Sequence, residues 1–364
     1  MLIFAERLDD MAGGPSTSIP EFSNCLKRFG IKNKIFCRKI NSTHFTNKNN
    51  LTVIPYSSIR QLLLNLNKTL KQTPKKNRLI HLNFVWRLEI IFIILWGKFH
   101  RFQIIFNPRG MLNEKAYNSG SFLKAPYFRL IVRPLCFFLV DFFQCSSEEE
   151  VEALKVHFSK KNIFLNTLGY KKLTTSSGFA VEDKFKAKSI VSISRIDSHK
   201  RISFMIDKFL NSELPKKGWS LSIYGSEKLS DYDEHIERFT NEELLENQIF
   251  LNNFIDNRNK IGILQKCTFF ISTSISESFG LSIAESLDIG TPIIVRDNTI
   301  WQDYIKKNCG FSFHEEDIEK IFDEIIDLDE KKYCKLVTNI QDFYNPVSWE
   351  EHTKTFLDKI NYKL

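Results

Sequence analysis

Glu277 and Glu285 lie eight positions apart, with Phe279-Gly280 just after the first and Gly290-Thr-Pro292 just after the second. These are the residues in the chain best placed to do chemistry. The apolar run Cys267 to Ile271 ahead of them reads as a buried strand. Ser282 to Ile289 reads as a short helix ended by Gly290 and Pro292. Glu277 then falls on a strand-to-helix loop and Glu285 on the helix. In an open α/β sheet such loops bind ligands, and a helix N-terminus favours anions. Carboxylates, in turn, accept hydrogen bonds from the hydroxyls of a polyol. A site that takes phosphate and sugar hydroxyls together suits a sugar nucleotide.

The elements that must position these groups alternate between strand and helix. Leu2 to Ala5 reads as a strand, Gly13-Gly14-Pro15 as a tight loop and Ile19 to Phe29 as a helix, the opening of a nucleotide-fold unit. Gly13 and Gly14 let backbone approach a ligand closely; a plain turn is the other reading. Ile31 to Phe36 and Leu51 to Ile54 read as strands and Ser58 to Lys71 as a helix. Leu79 to Phe84 is a strand carrying His81, which reads as a core histidine or a site residue. Leu88 to Trp96 is too short to span a bilayer and reads as a buried helix. Phe102 to Phe106 is a strand running into Asn107-Pro108-Arg109-Gly110. Phe128 to Phe143 is nearly all apolar, but Arg129, Arg133 and Asp141 make a membrane span costly. A core helix leading into a buried strand is expected there, with a monotopic membrane contact as the alternative.

The pattern restarts at Ser189 to Ser194, a strand followed by Arg195 and Lys200 and a helix to Leu210. Trp219 to Tyr224 is a strand ending at Gly225, and Glu234 to Leu245 a helix. Ile249 to Phe254 is a strand, Asn259 to Gln265 a short helix and Ile293 to Val295 a strand. This order predicts an α/β protein with a parallel sheet and helices on both faces, once in each half. Lys171 to Lys188 is the best linker.

At 364 residues, 43% hydrophobic and 26% charged, the chain has room for two moderate domains. Its net charge of +8 is uneven. Residues 1–180 hold 27 Lys and Arg against 11 Asp and Glu, and residues 181–364 hold 24 against 32. The basic half suggests an anionic partner: a membrane surface, a phosphate-bearing acceptor or nucleic acid. No strand interleaves aromatic and basic residues as single-stranded nucleic-acid platforms do, so nucleic acid is disfavoured. The seven cysteines are odd in number and lack C-x-x-C spacing. That pattern predicts free thiols in a reducing cytosol and neither disulfides nor a zinc site. The apolar start ends at Glu6 and does not read as a signal peptide. The expected location is cytoplasmic, with peripheral contact on the cytoplasmic membrane face.

Together these motifs resemble the retaining GT-B glycosyltransferases of family 4, over most of the chain. The signature is Glu277, Phe279, Gly280 and Glu285, with Gly-Thr-Pro after it. Supporting it are Gly13-Gly14, Arg195 with Lys200, Tyr224-Gly225 and Val347-Ser348-Trp349-Glu350. Pro108 to Leu112 matches the subgroup with Pro-Arg-Gly-Met-Leu. The resemblance implies two Rossmann-like domains facing a cleft. Residues 1–175 would form the acceptor domain, joined by a crossing helix at 346–364, and residues 185–345 the nucleotide-sugar domain.

It also implies roles. Glu285 would accept hydrogen bonds from ribose hydroxyls, and Glu277 would hold donor-sugar hydroxyls. The backbone at Phe279 and Gly280 would face the sugar and distal phosphate, with Gly14 and Gly225 lining the nucleotide sugar. Asn253 to Asp256, Phe254 included, would lie near the base. Arg195 and Lys200 would neutralise the diphosphate leaving group, so no metal and no resident cofactor are expected. Two Asp-x-Asp triplets, Asp231-Tyr-Asp233 and Asp327-Leu-Asp329, read as surface features. Many members carry a histidine on the acceptor side where this chain has Arg109 or a neighbour, which makes Arg109 a catalytic candidate. The implied activity is transfer of a hexose-type sugar from a UDP- or GDP-sugar to a hydroxyl of a lipid-linked or surface glycan. A sugar phosphorylase or a non-catalytic partner protein of the same fold are the rivals.

Overall fold

The structure is a computed structural model. It describes the chain except residues 9–13, 41–49, 76–77, 114–116, 118–122, 160, 174–179, 226–233, 254, 256, 276, 298, 315–316 and 363–364. The chain divides into two compact units. Unit 1 comprises Met1–Tyr170 and Val347–Leu364, and unit 2 comprises Lys171–Pro346.

Unit 1 is built on seven parallel strands: β1 (Leu2–Leu8), β2 (Lys34–Ile40), β3 (Val53–Pro55), β4 (Leu79–Leu82), β5 (Gln103–Phe106), β6 (Phe142–Cys145) and β7 (Ile163–Leu165). They lie in the order β3-β2-β1-β4-β5-β6-β7. The winding direction therefore reverses between β1 and β4. The central strand Leu79–Leu82 is buried along its whole length, which is what a parallel sheet covered on both faces requires. Helix Trp349–Lys359 completes this unit. A capping box between Ser348 and Glu351 starts it, and Tyr170 N donates to Val347 O at 2.8 Å. Its Phe356 and His352 rings stack edge-on against Phe22.

Unit 2 carries β8 (Ser189–Ile193), β9 (Ser220–Tyr224), β10 (Ile249–Asn252), β11 (Phe269–Ser272), β12 (Ile293–Arg296) and β13 (Gly310–Phe313). The order is β10-β9-β8-β11-β12-β13, again all parallel, with the reversal between β8 and β11.

Several elements differ from the sequence reading. β2 starts at Lys34 rather than Ile31, because Gly30, at φ 77°, ends the first helix and Asn33 is held by Ser23. Glu234 to Leu245 is not one helix. A 3₁₀ turn, Glu234–Arg238, is followed by Asn241–Glu246, because Thr240 caps the second piece through Glu243 N at 3.1 Å. Phe128 to Phe143 is helix Lys124–Tyr127, a wide π turn Phe128–Val132, helix Arg133–Leu139 and then β6. The wide turn falls just ahead of Pro134, which cannot supply the α-helical bond to the Leu130 carbonyl. Helix Glu89–Phe99 is only half covered: Ile90, Ile93 and Ile94 are buried while Leu95 and Phe99 are exposed.

Two histidines lie in the unit 1 core. His81 Nε2 donates to Gln144 Oε1 at 2.8 Å, and His352 Nδ1 donates to Thr167 O at 2.8 Å. Burial is the main cause that pushes His81 down to about 3 and His352 down to about 4, with Arg109 adding to both. Both are neutral in the folded protein, whereas the unfolded chain takes up protons near pH ~6.5. Their contribution to stability is therefore fully present above that pH and is lost as pH falls toward the folded values. The expected slope is about 1.4 kcal/mol per pH unit per histidine. Urea midpoints measured near neutrality and one to two units lower check this; an unchanged midpoint contradicts it.

Candidate active site

In unit 2 the chemistry gathers where the winding reverses, at the C-terminal ends of β8 and β11, the place where open α/β sheets bind ligands. The loop after β8 carries Arg195, Asp197 and Lys200, and the loop after β11 carries Ser274 and Glu277. The two loops are clamped together. Ile275 N donates to His199 O at 2.9 Å, and Thr273 Oγ1 donates to Lys200 O at 2.8 Å. Lys200 Nζ meets Glu277 Oε1 at 2.5 Å, with side chains 17% and 13% exposed. Ser274 Oγ donates to the same oxygen at 2.7 Å. Glu277 is thus held from two sides and aimed by its neighbours.

Arg195 is held by Asp197, Nη2 to Oδ2 at 3.0 Å. Asp197 is buried, and its Oδ1 has no hydrogen-bond partner among the described residues. That carboxylate anchors the arginine while leaving it part-exposed. Arg201, at φ 52°, turns the chain from the 3₁₀ turn Ser198–Lys200 into helix Ile202–Leu210.

Helix Leu281–Asp288 begins at Gly280, at φ 80°. The buried Phe279 has its carbonyl fixed by Trp301 Nε1 at 2.8 Å and its ring against the Trp301 ring. Glu285, on the helix, pairs with Lys260 of helix Asn257–Lys266 at 2.5 Å, both side chains near 14% exposed. At Gly225, after β9, an added Cβ would sit 2.2 Å from Ser194 O. Glycine is required there by close approach of the β8 loop.

In unit 1, Gly14 opens the first helix, Gly14–Arg28. Arg109, at φ 54°, follows β5. Its Nε and Nη2 donate to Asn83 Oδ1 at 3.0 and 2.9 Å, and its Nη1 to Ser18 Oγ at 3.1 Å. These are neutral acceptors. Loss of hydration lowers the guanidinium pKa to about 10, opposed by the charge of Glu150. This is a cation suited to an anionic or strongly polar ligand. His81 is a core residue whose ring lies edge-on to those of Phe22 and Phe356. Its partners settle which of the two sequence readings holds.

Phe254, Gly13 and the triplet Asp231-Tyr-Asp233 lie outside the described residues. The other triplet is structural: Asp329 caps helix Glu330–Phe343 through Lys332 N. Among the described residues no His, Cys, Asp and Glu side chains cluster as a metal-ligand set. None of the seven cysteines is in a disulfide. Asp197, Ser274, Lys260 and Trp301 were not singled out in the sequence. Asp197 sits two residues past Arg195 and Ser274 three before Glu277, so both carried a local signal; Lys260 and Trp301 act through contacts between elements.

Both units have the Rossmann-like architecture of GT-B proteins. HepE from Anabaena, solved with UDP and glucose, superposes with a TM-score of 0.77 at 13% identity, covering 100% of this chain and 99% of that one. An S. aureus TarM mutant, solved with fondaparinux, α-GlcNAc-glycerol and UDP, superposes with a TM-score of 0.73 at 14% identity, covering 99% of both chains. The family model for Glycosyl transferases group 1 matches residues 179–342, the region that holds Arg195, Lys200, Glu277 and Glu285. The poly(glycerol-phosphate) alpha-glucosyltransferase of Bacillus subtilis is 30% identical over 192 residues, 50% of this chain. The chain spans 26% of that relative's length.

Gly280→Ala places a residue with a Cβ in left-handed backbone, 2.8 Å from Ile283 Cδ1. The expected loss is about 1–2 kcal/mol of stability, read as a lower thermal midpoint. An unchanged midpoint would show that the loop relaxes freely.

Proposed function

We propose that the protein is a retaining, metal-independent glycosyltransferase that moves a hexose-type sugar from a nucleoside diphosphate sugar to a hydroxyl of a growing surface glycan. The observation that carries this reading is that Arg195, Lys200 and Glu277 lie on the two loops leaving the neighbouring parallel strands β8 and β11, with Glu285 on the helix that follows the second loop. Cations and hydroxyl-accepting carboxylates on these elements match the two ends of such a donor. Uracil is the first base to test, because HepE and TarM were solved with UDP.

Glu285 accepts from the ribose and Lys260 fixes its orientation. Glu277 accepts from sugar hydroxyls. Lys200, now paired with Glu277, turns part of its charge to the diphosphate, joined by Arg195. As the anomeric carbon–oxygen bond to phosphate breaks, negative charge grows on the leaving oxygen, and fixed cations stabilise it without reorganisation. The acceptor oxygen bonds to the anomeric carbon on the face the diphosphate leaves, and the acceptor proton passes to a diphosphate oxygen. No protein nucleophile takes part. An α-linked donor then gives an α-linked product, the outcome named for the Bacillus subtilis relative. Arg109, with its neutral partners, serves the acceptor side. The acceptor is a lipid-linked or surface polymer of capsule, O-antigen or lipopolysaccharide type, met on the cytoplasmic membrane face.

The test is release of UDP or GDP from a panel of nucleotide sugars with glycan acceptors. Lys200→Ala is expected to lower kcat about a hundredfold or more, and Glu285→Ala to raise the donor KM about tenfold. Unchanged transfer in both variants sinks the reading. Calorimetric binding of phosphate but neither UDP nor GDP would favour a phosphorylase.

A further inference from the structure

Seven of the fifteen exposed large apolar side chains among the described residues stand on two helical segments of unit 1. Helix Glu89–Phe99 contributes Leu88, just before it, with Phe92, Leu95 and Phe99. The spacing of four, three and four residues puts all of them on one stripe. Gly97 lies on the opposite side and packs into the sheet, where an added Cβ would sit 2.6 Å from Ile80 Cδ1. The stripe therefore points directly away from the core. Helix Arg133–Leu139 packs against this helix. It and the π turn before it expose Leu130, Ile131 and Phe138, while Phe128, Val132 and Cys136 turn inward. Phe99 is 82% exposed and Leu130 and Phe138 are each 76% exposed. Such a cluster is far from the single scattered apolar residues of an ordinary surface.

The charges around it are mostly basic, and Asp141, just past the second segment, is paired with Lys98 of the first at 2.6 Å. From Lys124 to Leu139 the chain holds Lys124, Arg129 and Arg133 and no acidic residue. Arg129 and Arg133 are exposed. Their Nε groups donate to neutral acceptors, Tyr117 Oη and His157 O at 3.2 Å each, and neither forms an ion pair among the described residues. Glu89, the acidic residue of its helix, is buried and paired with Arg38.

We propose that this face docks the protein on an anionic lipid bilayer. The stripe offers hydrocarbon and no hydrogen-bonding side chain, so it suits acyl chains rather than water. The arginines, carried on apolar-backed stems, reach phosphate headgroups at the rim. No helix among the described residues is long and apolar enough to cross a membrane, so the contact is interfacial. The inference rests on the glycosyltransferase reading only in what it serves, presentation of a lipid-linked acceptor.

The test is cosedimentation of the full chain with phosphatidylcholine vesicles, with and without phosphatidylglycerol, at low and high salt. Binding that needs the anionic lipid and weakens with salt is expected. Arg129→Gln and Arg133→Gln should each lower partitioning about fivefold. Joint replacement of Phe99, Leu130 and Phe138 by Glu should lower it at least about tenfold. UDP or GDP binding, measured on the same variants, should stay unchanged, and this separates docking from the donor site. Absence of vesicle binding overturns the proposal. So does a stable dimer that the triple variant turns into a monomer, which would make the face a contact between copies.

Discussion

The pairing of Lys200 with Glu277 is the interaction on which the rest of the candidate site depends. It joins the loops that leave two neighbouring parallel strands. It can form only because β8 and β11 lie side by side although some 75 residues of chain separate them. The clamps from His199 to Ile275 and from Thr273 to Lys200 fix the backbone first, and the ion pair then finds its geometry. A buried unpaired charge is costly, so the pair keeps both groups ordered before any ligand arrives. It also keeps them exchangeable, because a polyanion can share the lysine while hydroxyls share the carboxylate.

The acidic balance of residues 181–364 and the cations of the site are not in conflict. Net charge acts over long range and is screened within about 10 Å at moderate salt, whereas Arg195 and Lys200 act at contact distance. A region of negative sum can hold a diphosphate when a few cations are fixed where the strands end. The positive sum of residues 1–180 includes the arginines of the exposed apolar face. There, no single geometry is needed and accumulated charge is enough.

What could be read in advance was local. Glu277, Phe279, Gly280 and Glu285 fall within one strand–loop–helix stretch, and their placement follows from turn chemistry and periodicity. The alternation of elements gave both parallel sheets. What escaped was relational. Lys260 reaches Glu285 across two helices, and Trp301 holds the Phe279 carbonyl from 22 residues away. Neither has a spacing that betrays it. Leu88 to Trp96 reads as a buried helix because it is strongly apolar and too short to span a bilayer, and composition cannot say which side is covered. Local chemistry also cut elements that periodicity joined: Thr240 caps a new helix, and Pro134 widens the turn before it.

Unit 1 is discontinuous in sequence, with the whole of unit 2 lying between Tyr170 and Val347. The strands of the seven-stranded sheet leave the ribosome first, yet the helix that covers Phe22 and His81 is made only after unit 2. Cys25 Sγ bonds to Trp349 O across 324 positions. During synthesis the first unit must wait, with an apolar face open, while the second has all its residues and can fold alone. The order of completion is then the reverse of the order of synthesis. The early half of the chain is then the stretch that stays open longest, and the unit that holds Lys200 and Glu277 is the first to be finished.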